Sequence, residues 1–252
     1  MTEPEWYEIL RRGETATIAN SLVKLGLRNT VIQGVRPVDP ANARFVGPAF
    51  TLRLIPARED VTTPDIYRDP AHPYLAVVEA MPAGAVLVVD ARRETMVGTV
   101  GDLMALRMKQ RGIAGYVSDG GIRDSAEIRA IGVPVYGAAH APAPPITMHH
   151  AVDMNVAIGC GGVAVYPGDM IVADGDGVVV IPAAMAEKVA GLVAEQQRFE
   201  AFAAEEIRGG ASLVGLLPPD QAALARYAAW KGRMSGEGAA GSGNGKGETG
   251  NG

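Results

Sequence analysis

The chain has a single cysteine, Cys160, and aromatic residues make up only 5% of its 252 positions. One cysteine excludes an intramolecular disulfide and points to a reducing compartment. With aromatics scarce and hydrophobic residues at 48%, packing falls to Ala, Val, Gly and Ile, as in α/β proteins with buried strands. Basic residues never run beyond the pairs Arg11–Arg12 and Arg92–Arg93, and acids outnumber bases 28 to 23. That balance excludes a nucleic-acid surface built on clustered Lys and Arg. Apolar runs fall short of the ~18 residues that span a bilayer, and the acidic start, Met1 to Trp6, has no apolar signal core. These absences predict a soluble cytoplasmic protein that binds neither nucleic acid nor membrane.

The apolar pattern then sets the order of elements. Residues 4–25 read as helical and are broken at Gly13, with Thr15 or Thr17 as a cap and Gly26 as a stop. Thr30–Arg36 and Ala49–Leu54 have strand character, and Pro56–Pro73 reads as a long polar loop of the kind that often serves as a lid. An alternation follows: strand Ala85–Asp90, helix 102–111, strand Gly115–Ser118, helix 124–130, strand Pro134–Gly137. It predicts parallel pairing with right-handed crossovers. From Val152 to Pro182 short strands alternate with Gly, Pro and Asp turns, and a long helix runs from Ala183 to Arg208. The expectation is one domain over residues 1–232 and a disordered Gly/Ser-rich tail over 233–252.

The chemistry concentrates at two glycine-bounded turns. Gly98–Thr99–Val100–Gly101–Asp102–Leu103 precedes Asp119–Gly120–Gly121–Ile122–Arg123–Asp124 by about twenty residues. Gly101, Asp102 and Leu103 open a helix and offer free N–H groups and the positive end of its dipole, an anion cradle. Arg123 is suited to grip a carboxylate at two points, which lysine cannot copy. An oxygen-only site of this kind suits Mg²⁺ or Mn²⁺ with water filling most positions. Asp124 also reads as half of a capping box with Glu127, and Asp102 as a helix cap. The two readings are compatible, because one carboxylate oxygen can cap while the other binds metal.

Other polar groups carry a plainer reading. Asp174–Gly175–Asp176–Gly177 lacks the further acids of a calcium loop and reads as a hairpin turn. Cys160 sits between apolar strands as a buried structural thiol. His140, His149 and His150 lack zinc-ligand spacing, and His72 stands in the long loop without local support for a role. No Ser-His-Asp signature and no phosphate-loop motif occurs.

In order and spacing, Gly98-x-x-Gly101-Asp102-Leu103, Gly115-x-Val117-x-Asp119-Gly120-x-x-Arg123-Asp124, Pro134-Val135, Cys160-Gly161-Gly162-Val163-x-Val165-x-Pro167-Gly168-Asp169 and Asp174-x-Asp176-Gly177-Val178 resemble the RraA-like family. That family holds 4-hydroxy-4-methyl-2-oxoglutarate/4-carboxy-4-hydroxy-2-oxoadipate aldolases and regulators of ribonuclease E activity. The resemblance covers roughly residues 14–215. It implies an α/β/β swivelling-domain sandwich with flanking helices, assembled as a homotrimer or homohexamer with its site between subunits. It implies a metal-dependent aldolase that releases pyruvate from a small 2-oxo acid, with oxaloacetate decarboxylation as a side activity. Asp124 then binds the divalent metal, and Arg123 binds pyruvate with the N–H groups of Gly101–Leu103. Asp102 holds a metal-bound water, and Glu205 or Glu206 reaches a neighbouring subunit's site. The alternatives are a non-catalytic, nuclease-binding regulator and a sugar-acid lyase or dehydratase. The chain departs from the compact family pattern in the Pro56–Pro73 loop and at Ala139–His140–Ala141–Pro142.

Overall fold

In the computed structural model, which describes residues 4–240, the valine-rich runs become strands. In chain order these are β1 (Arg36–Pro37), β2 (Phe45–Pro56), β3 (Val86–Asp90), β4 (Gly115–Ser118), β5 (Gly121–Ile122) and β6 (Val135–Gly137). They continue as β7 (Ala139–His140), β8 (His149–Met154), β9 (Ile158–Cys160), β10 (Val163–Val165), β11 (Met170–Asp174) and β12 (Gly177–Ile181). The helices are α1 (Glu5–Arg12), α2 (Thr15–Lys24), α3 (Pro73–Ala80), α4 (Asp102–Gln110), α5 (Ser125–Ile131), α6 (Ala186–Arg208) and α7 (Gln221–Ala240). Strands β2, β3, β4 and β6 pair in parallel, with α4 and α5 as crossovers, as the alternation predicts. The sheet runs β1-β6-β4-β3-β2-β11-β12. The long β2 pairs β11 through its first residues and β8 through its last.

Strand alternation explains the layers. Leu87 and Val89 of β3 face one side, where Val77, Val78, Ala105, Met108 and Ile128 of α3, α4 and α5 cover them. Val86 and Val88 face the other, against Cys160, Val163 and Val165 and against Ile171, Ala173, Val178 and Val180 of the curled β11–β12 hairpin. The result is a helix layer, a parallel sheet and a second β layer. Leu10, Ile18, Leu22 and the first turns of α6 cover Val172, Val179 and Ile181. Each such buried aliphatic side chain contributes roughly 1.5–3 kcal/mol.

The structure corrects several expectations. Thr30–Arg36 is not a strand: Gly34 adopts φ +80° and turns the chain, leaving a single bridge, Val31 to Val179, before β1. Neither threonine caps α2, whose cap residue is Glu14. Instead the Thr15 N–H and Oγ1 donate to the Asp174 carboxylate at 2.8 and 2.6 Å. The segment read as a loop holds a 3-10 helix, Pro64–Arg68, and leads straight into α3.

The chain divides into two compact units, Met1–Ala194 and Glu195–Gly252, where one domain over 1–232 was expected. In the second unit the later turns of α6 and α7 close around Phe199, Phe202, Leu216, Ala223 and Tyr227. Helix α7 continues past Gly232, the expected start of the tail, and the remainder of that tail, 241–252, lies outside the described residues. Among the described residues no helix is long and apolar enough to cross a membrane.

Candidate active site

Two turns meet beyond the carboxyl ends of β3 and β4, where parallel sheets place their ligand sites. Backbone hydrogen bonds clamp them together. The Thr99 N–H donates to the Gly121 carbonyl at 2.7 Å and the Arg123 N–H to the Val100 carbonyl at 3.2 Å. Two glycines make the approach possible. A Cβ on Gly98 would stand 2.8 Å from the Arg123 side chain, and one on Gly101 would stand 2.7 Å from Asp124 Oδ2.

Asp124 adopts φ 54°, ψ 40°, a left-handed conformation that non-glycine residues enter at a cost of roughly 1–3 kcal/mol. It occupies the cap position of α5, yet its side chain makes no capping hydrogen bond. The capping-box pairing with Glu127 is therefore not realised. Asp124 Oδ2 instead accepts from Arg123 Nε at 3.2 Å and from the Asp102 N–H at 3.4 Å. Asp102 is the first residue of α4, with Gly101 as the cap. Its Oδ1 accepts from the Leu103 N–H at 2.8 Å. Arg123 and Asp124 keep about a third of their side-chain surface open, 36% and 31%. All five sequence-predicted residues, Gly101, Asp102, Leu103, Arg123 and Asp124, thus line one cleft of about 460 Å³.

The cleft has walls that sequence reasoning did not assign. Tyr67, Tyr74 and Leu75 come from the 3-10 helix and the start of α3, Met104 from α4, and Pro144 and Pro145 from the segment after β7. Tyr74 Oη donates to the Thr99 carbonyl at 3.1 Å, and Tyr116 Oη donates to Thr99 Oγ1 at 2.8 Å. Burial pushes both phenols above their ordinary range, so they remain neutral donors that stiffen the first turn. The only sequence signal for Tyr67 and Tyr74 was the unusual length of the segment that precedes α3.

The donor set fits a hard divalent cation. Asp124 and Asp102 each engage one carboxylate oxygen in the hydrogen bonds above and leave the other without a partner among the described residues. Mg²⁺ and Mn²⁺ take one or two carboxylates and complete their shell with water and substrate oxygen. Among the described residues no group of three or more His, Cys, Asp or Glu side chains converges as a ligand cage.

The remaining candidates are structural. Asp119 is buried, accepting from the Ala91 N–H at 2.8 Å and the Gly161 N–H at 3.0 Å. Asp174 closes the β11–β12 hairpin and accepts from the Asp176 N–H at 3.0 Å. Cys160 is fully buried, and burial pushes its thiol up. His149 is buried on β8 with its Nδ1 3.2 Å from Arg92, and His140 is exposed on β7. His72 and His150 stack edge-on at 5.7 Å behind Tyr67. In the second unit Glu205 accepts from Trp230 Nε1 and Glu206 from Arg226 Nε, both at 2.7 Å.

The model of the RraA-like family, described as Aldolase/RraA, matches residues 15–180. A Halalkalibacterium halodurans protein named "Putative 4-hydroxy-4-methyl-2-oxoglutarate aldolase" is 35% identical over 166 residues, 65% of this chain and 71% of that protein. A Bacillus cereus protein of the same name is 31% identical over 103 residues, 41% of this chain and 64% of that protein. The crystal structure of Streptomyces coelicolor RraAS2, described as an unusual member of the RNase ES inhibitor RraA protein family, superposes with a TM-score of 0.71 at 32% identity. It covers 80% of this chain and 96% of its own.

Proposed function

Because the chain belongs to the RraA-like family, we propose that it is a divalent-metal-dependent lyase that cleaves a 4-hydroxy-2-oxo acid to pyruvate. The relatives' names point to 4-hydroxy-4-methyl-2-oxoglutarate as one such acid. The observation that carries the reading is Asp124. It holds a left-handed backbone, makes no capping bond to its own helix α5, and turns its carboxylate beside Arg123 toward the first N–H of α4.

Cleavage needs three things: the 4-hydroxyl proton must leave, the C3–C4 bond must break, and its electron pair must settle as the enolate of pyruvate. Arg123 matches the planar 2-oxo-carboxylate and stays charged throughout. The start of α4 presents its dipole to the charge that develops on the 2-oxo oxygen. The Asp102 and Leu103 N–H groups are held by carboxylates at 3.4 and 2.8 Å, so a substrate oxygen takes over bonds already aimed at an anion. Asp102, with one oxygen unpartnered among the described residues, takes the 4-hydroxyl proton by way of a water and returns one to C3. Oxaloacetate loses CO₂ to the same enolate, which makes decarboxylation the expected side activity. Asp124, supported by Asp102, would hold Mg²⁺ or Mn²⁺, which when bound supplies Lewis-acid polarisation of the 2-oxo group.

The assembly belongs to the proposal: a trimer or a pair of trimers with the site between subunits, checked by light scattering. A cytoplasmic setting suits the lone buried Cys160. The similarity to RraAS2 favours a second reading, a nuclease-binding regulator. Pyruvate release from a panel of 4-hydroxy-2-oxo acids separates the two. Activity should vanish with EDTA and return with Mg²⁺ or Mn²⁺; full activity after chelation overturns the metal-dependent mechanism.

A further inference from the structure

Resting on the lyase reading, we propose that Thr99 is a positioning residue of this site: its hydroxyl locks the turn that carries Asp102 against the turn that carries Arg123 and Asp124. The candidate ligands come from both turns, so the geometry of the site is the placement of one turn on the other. At the cleft itself the bond that joins them, from the Asp102 N–H to Asp124 Oδ2, is long at 3.4 Å and ends on a partly exposed carboxylate. Such a bond does not hold a register by itself. The turns also have few side chains with which to interlock, since Gly98, Gly101, Gly120 and Gly121 carry none. Between Gly98 and Gly101, Val100 packs into the helix layer. That leaves Thr99.

Thr99 is buried, and each of its polar atoms is engaged. Its N–H donates to the Gly121 carbonyl at 2.7 Å, and its own carbonyl accepts from Tyr74 Oη at 3.1 Å. Its hydroxyl has one proton and two acceptors in reach, the Gly121 carbonyl at 2.9 Å and Ser118 Oγ at 3.1 Å. The carbonyl is nearer and cannot donate, so it takes the proton, and Ser118 turns its own proton to Thr99 Oγ1. Tyr116 Oη donates to the same oxygen at 2.8 Å. One proton given and two received exhaust a hydroxyl. The methyl group completes the lock. A Cβ on Gly120 would stand 3.1 Å from Thr99 Cγ2, and branching at Cβ stiffens χ1. Packing alone is met by valine here; the hydroxyl is what ties the first turn to the Gly121 carbonyl. Tyr116 and Ser118 are fully buried within one protomer, so a neighbouring subunit at the cleft adds no partner to them.

The consequence falls on one side of the reaction. Arg123 stands on the second turn and grips the 2-oxo-carboxylate from there, so ground-state binding survives a small slip between the turns. The enolate charge develops against Asp102 and the start of α4, which belong to the first turn. A slip therefore weakens an interaction that matters most in the transition state, and it lowers kcat rather than raising KM.

The test uses the full-length protein with saturating Mn²⁺. Thr99→Val leaves Tyr116 Oη and Ser118 Oγ without their acceptor, so it should lower the melting temperature as well as kcat. Thr99→Val/Tyr116→Phe removes donor and acceptor together and should recover part of the melting temperature. The kcat of both variants should stay about 10- to 100-fold below the wild type while KM changes by less than about threefold. Thr99→Ser keeps the hydroxyl and should retain most of kcat. A double variant whose kcat recovers in step with its melting temperature overturns the proposal and leaves Thr99 a core residue. A rise in KM at unchanged kcat overturns it as well. Mn²⁺ affinity, read by water-proton relaxation, keeps this proposal apart from the lyase reading, because Asp102 and Asp124 meet the cation from different turns. It should fall several-fold in the double variant and stay near the wild type in Thr99→Ser. A wild type that binds Mn²⁺ but releases no pyruvate removes the lyase reading, and unchanged affinity in the double variant then removes the role of Thr99 too. Turnover in the wild type with equal kcat in the double variant removes the role of Thr99 alone, and a wild type that binds no Mn²⁺ overturns both.

Discussion

Asp124 holds a backbone conformation that glycine would adopt without strain, and its side chain makes no capping hydrogen bond to its own helix α5. A residue kept for stability would not be arranged this way, so stability and activity should separate at this position. Asp124→Gly should change stability by no more than about 1 kcal/mol, because relief of the left-handed backbone offsets the lost ion pair with Arg123 and the lost acceptor for the Asp102 N–H, both at a partly exposed carboxylate, while turnover collapses. Asp124→Asn should also fold, since asparagine tolerates the left-handed region, yet it should lose metal affinity. Arg123→Lys should show the converse: metal affinity little changed, and KM for a 2-oxo acid raised about 10- to 100-fold by loss of the two-point grip. Thermal melts beside metal titrations check all three; unfolding of Asp124→Asn would return Asp124 to a structural role. The residues of this candidate site were legible in the sequence because glycine and an acid recur at two turns, with an arginine beside the acid of the second. The strain at Asp124 was not, because an aspartate before a helix reads equally well as a cap. Gly98 and Gly101 were legible as turn formers, but their closeness to Arg123 and Asp124 arises only when the two turns are brought together.

The elements were legible where periodicity and punctuation agreed. Strands β3 and β4 and helices α4 and α5 follow from apolar runs bounded by Gly112 and Gly132, both at positive φ. Helix α3 was hidden because Pro73 reads as the end of a loop, although proline at a first helical position is favoured. Helix α7 was hidden by its Ala- and Gly-rich composition, since glycine lowers helix propensity by about 1 kcal/mol per residue. Tertiary packing overrides that preference. Phe202 and Tyr227 lie 5.4 Å apart, Tyr227 stacks on Trp230 at 6.1 Å, and Lys231 pairs with Glu195 at 2.9 Å. If aromatic packing rather than propensity holds α7, Phe202→Ala should cost this unit about 3–5 kcal/mol. Hydrogen exchange should then show amides across residues 221–231 losing protection, and unchanged protection there would show that α7 is stable by itself.

At the scale of the whole molecule, two buried histidines, His149 and His72, oppose folding in mild acid. His149 is buried on β8, and burial, followed by the Arg92 guanidinium, pushes its pKa down to about 4 from an ordinary 6.5, against a weaker opposing pull from Glu94. His72 shifts in the same direction. Above pH 6.5 neither the folded nor the unfolded chain protonates His149, and it contributes nothing to the pH dependence. Between pH 6.5 and about 4 the unfolded chain takes up a proton that the fold refuses, so stability falls with pH. Below about 4 the folded form protonates as well and the loss levels off. The carboxylate of Asp174 is pushed up by burial but held, on balance, below its ordinary 3.8 by hydrogen bonds from Thr15 and the Asp176 N–H and by Arg44, and it works below this window. Its stabilisation is intact above its unfolded pKa and disappears only in stronger acid. Melting temperature followed by circular dichroism should therefore drop progressively from pH 6.5 to 4, and His149→Gln should flatten part of that slope. A melting temperature that rises as pH falls through this window would mean that His149 gains rather than loses its proton on folding, and that its environment is not the desolvated one described.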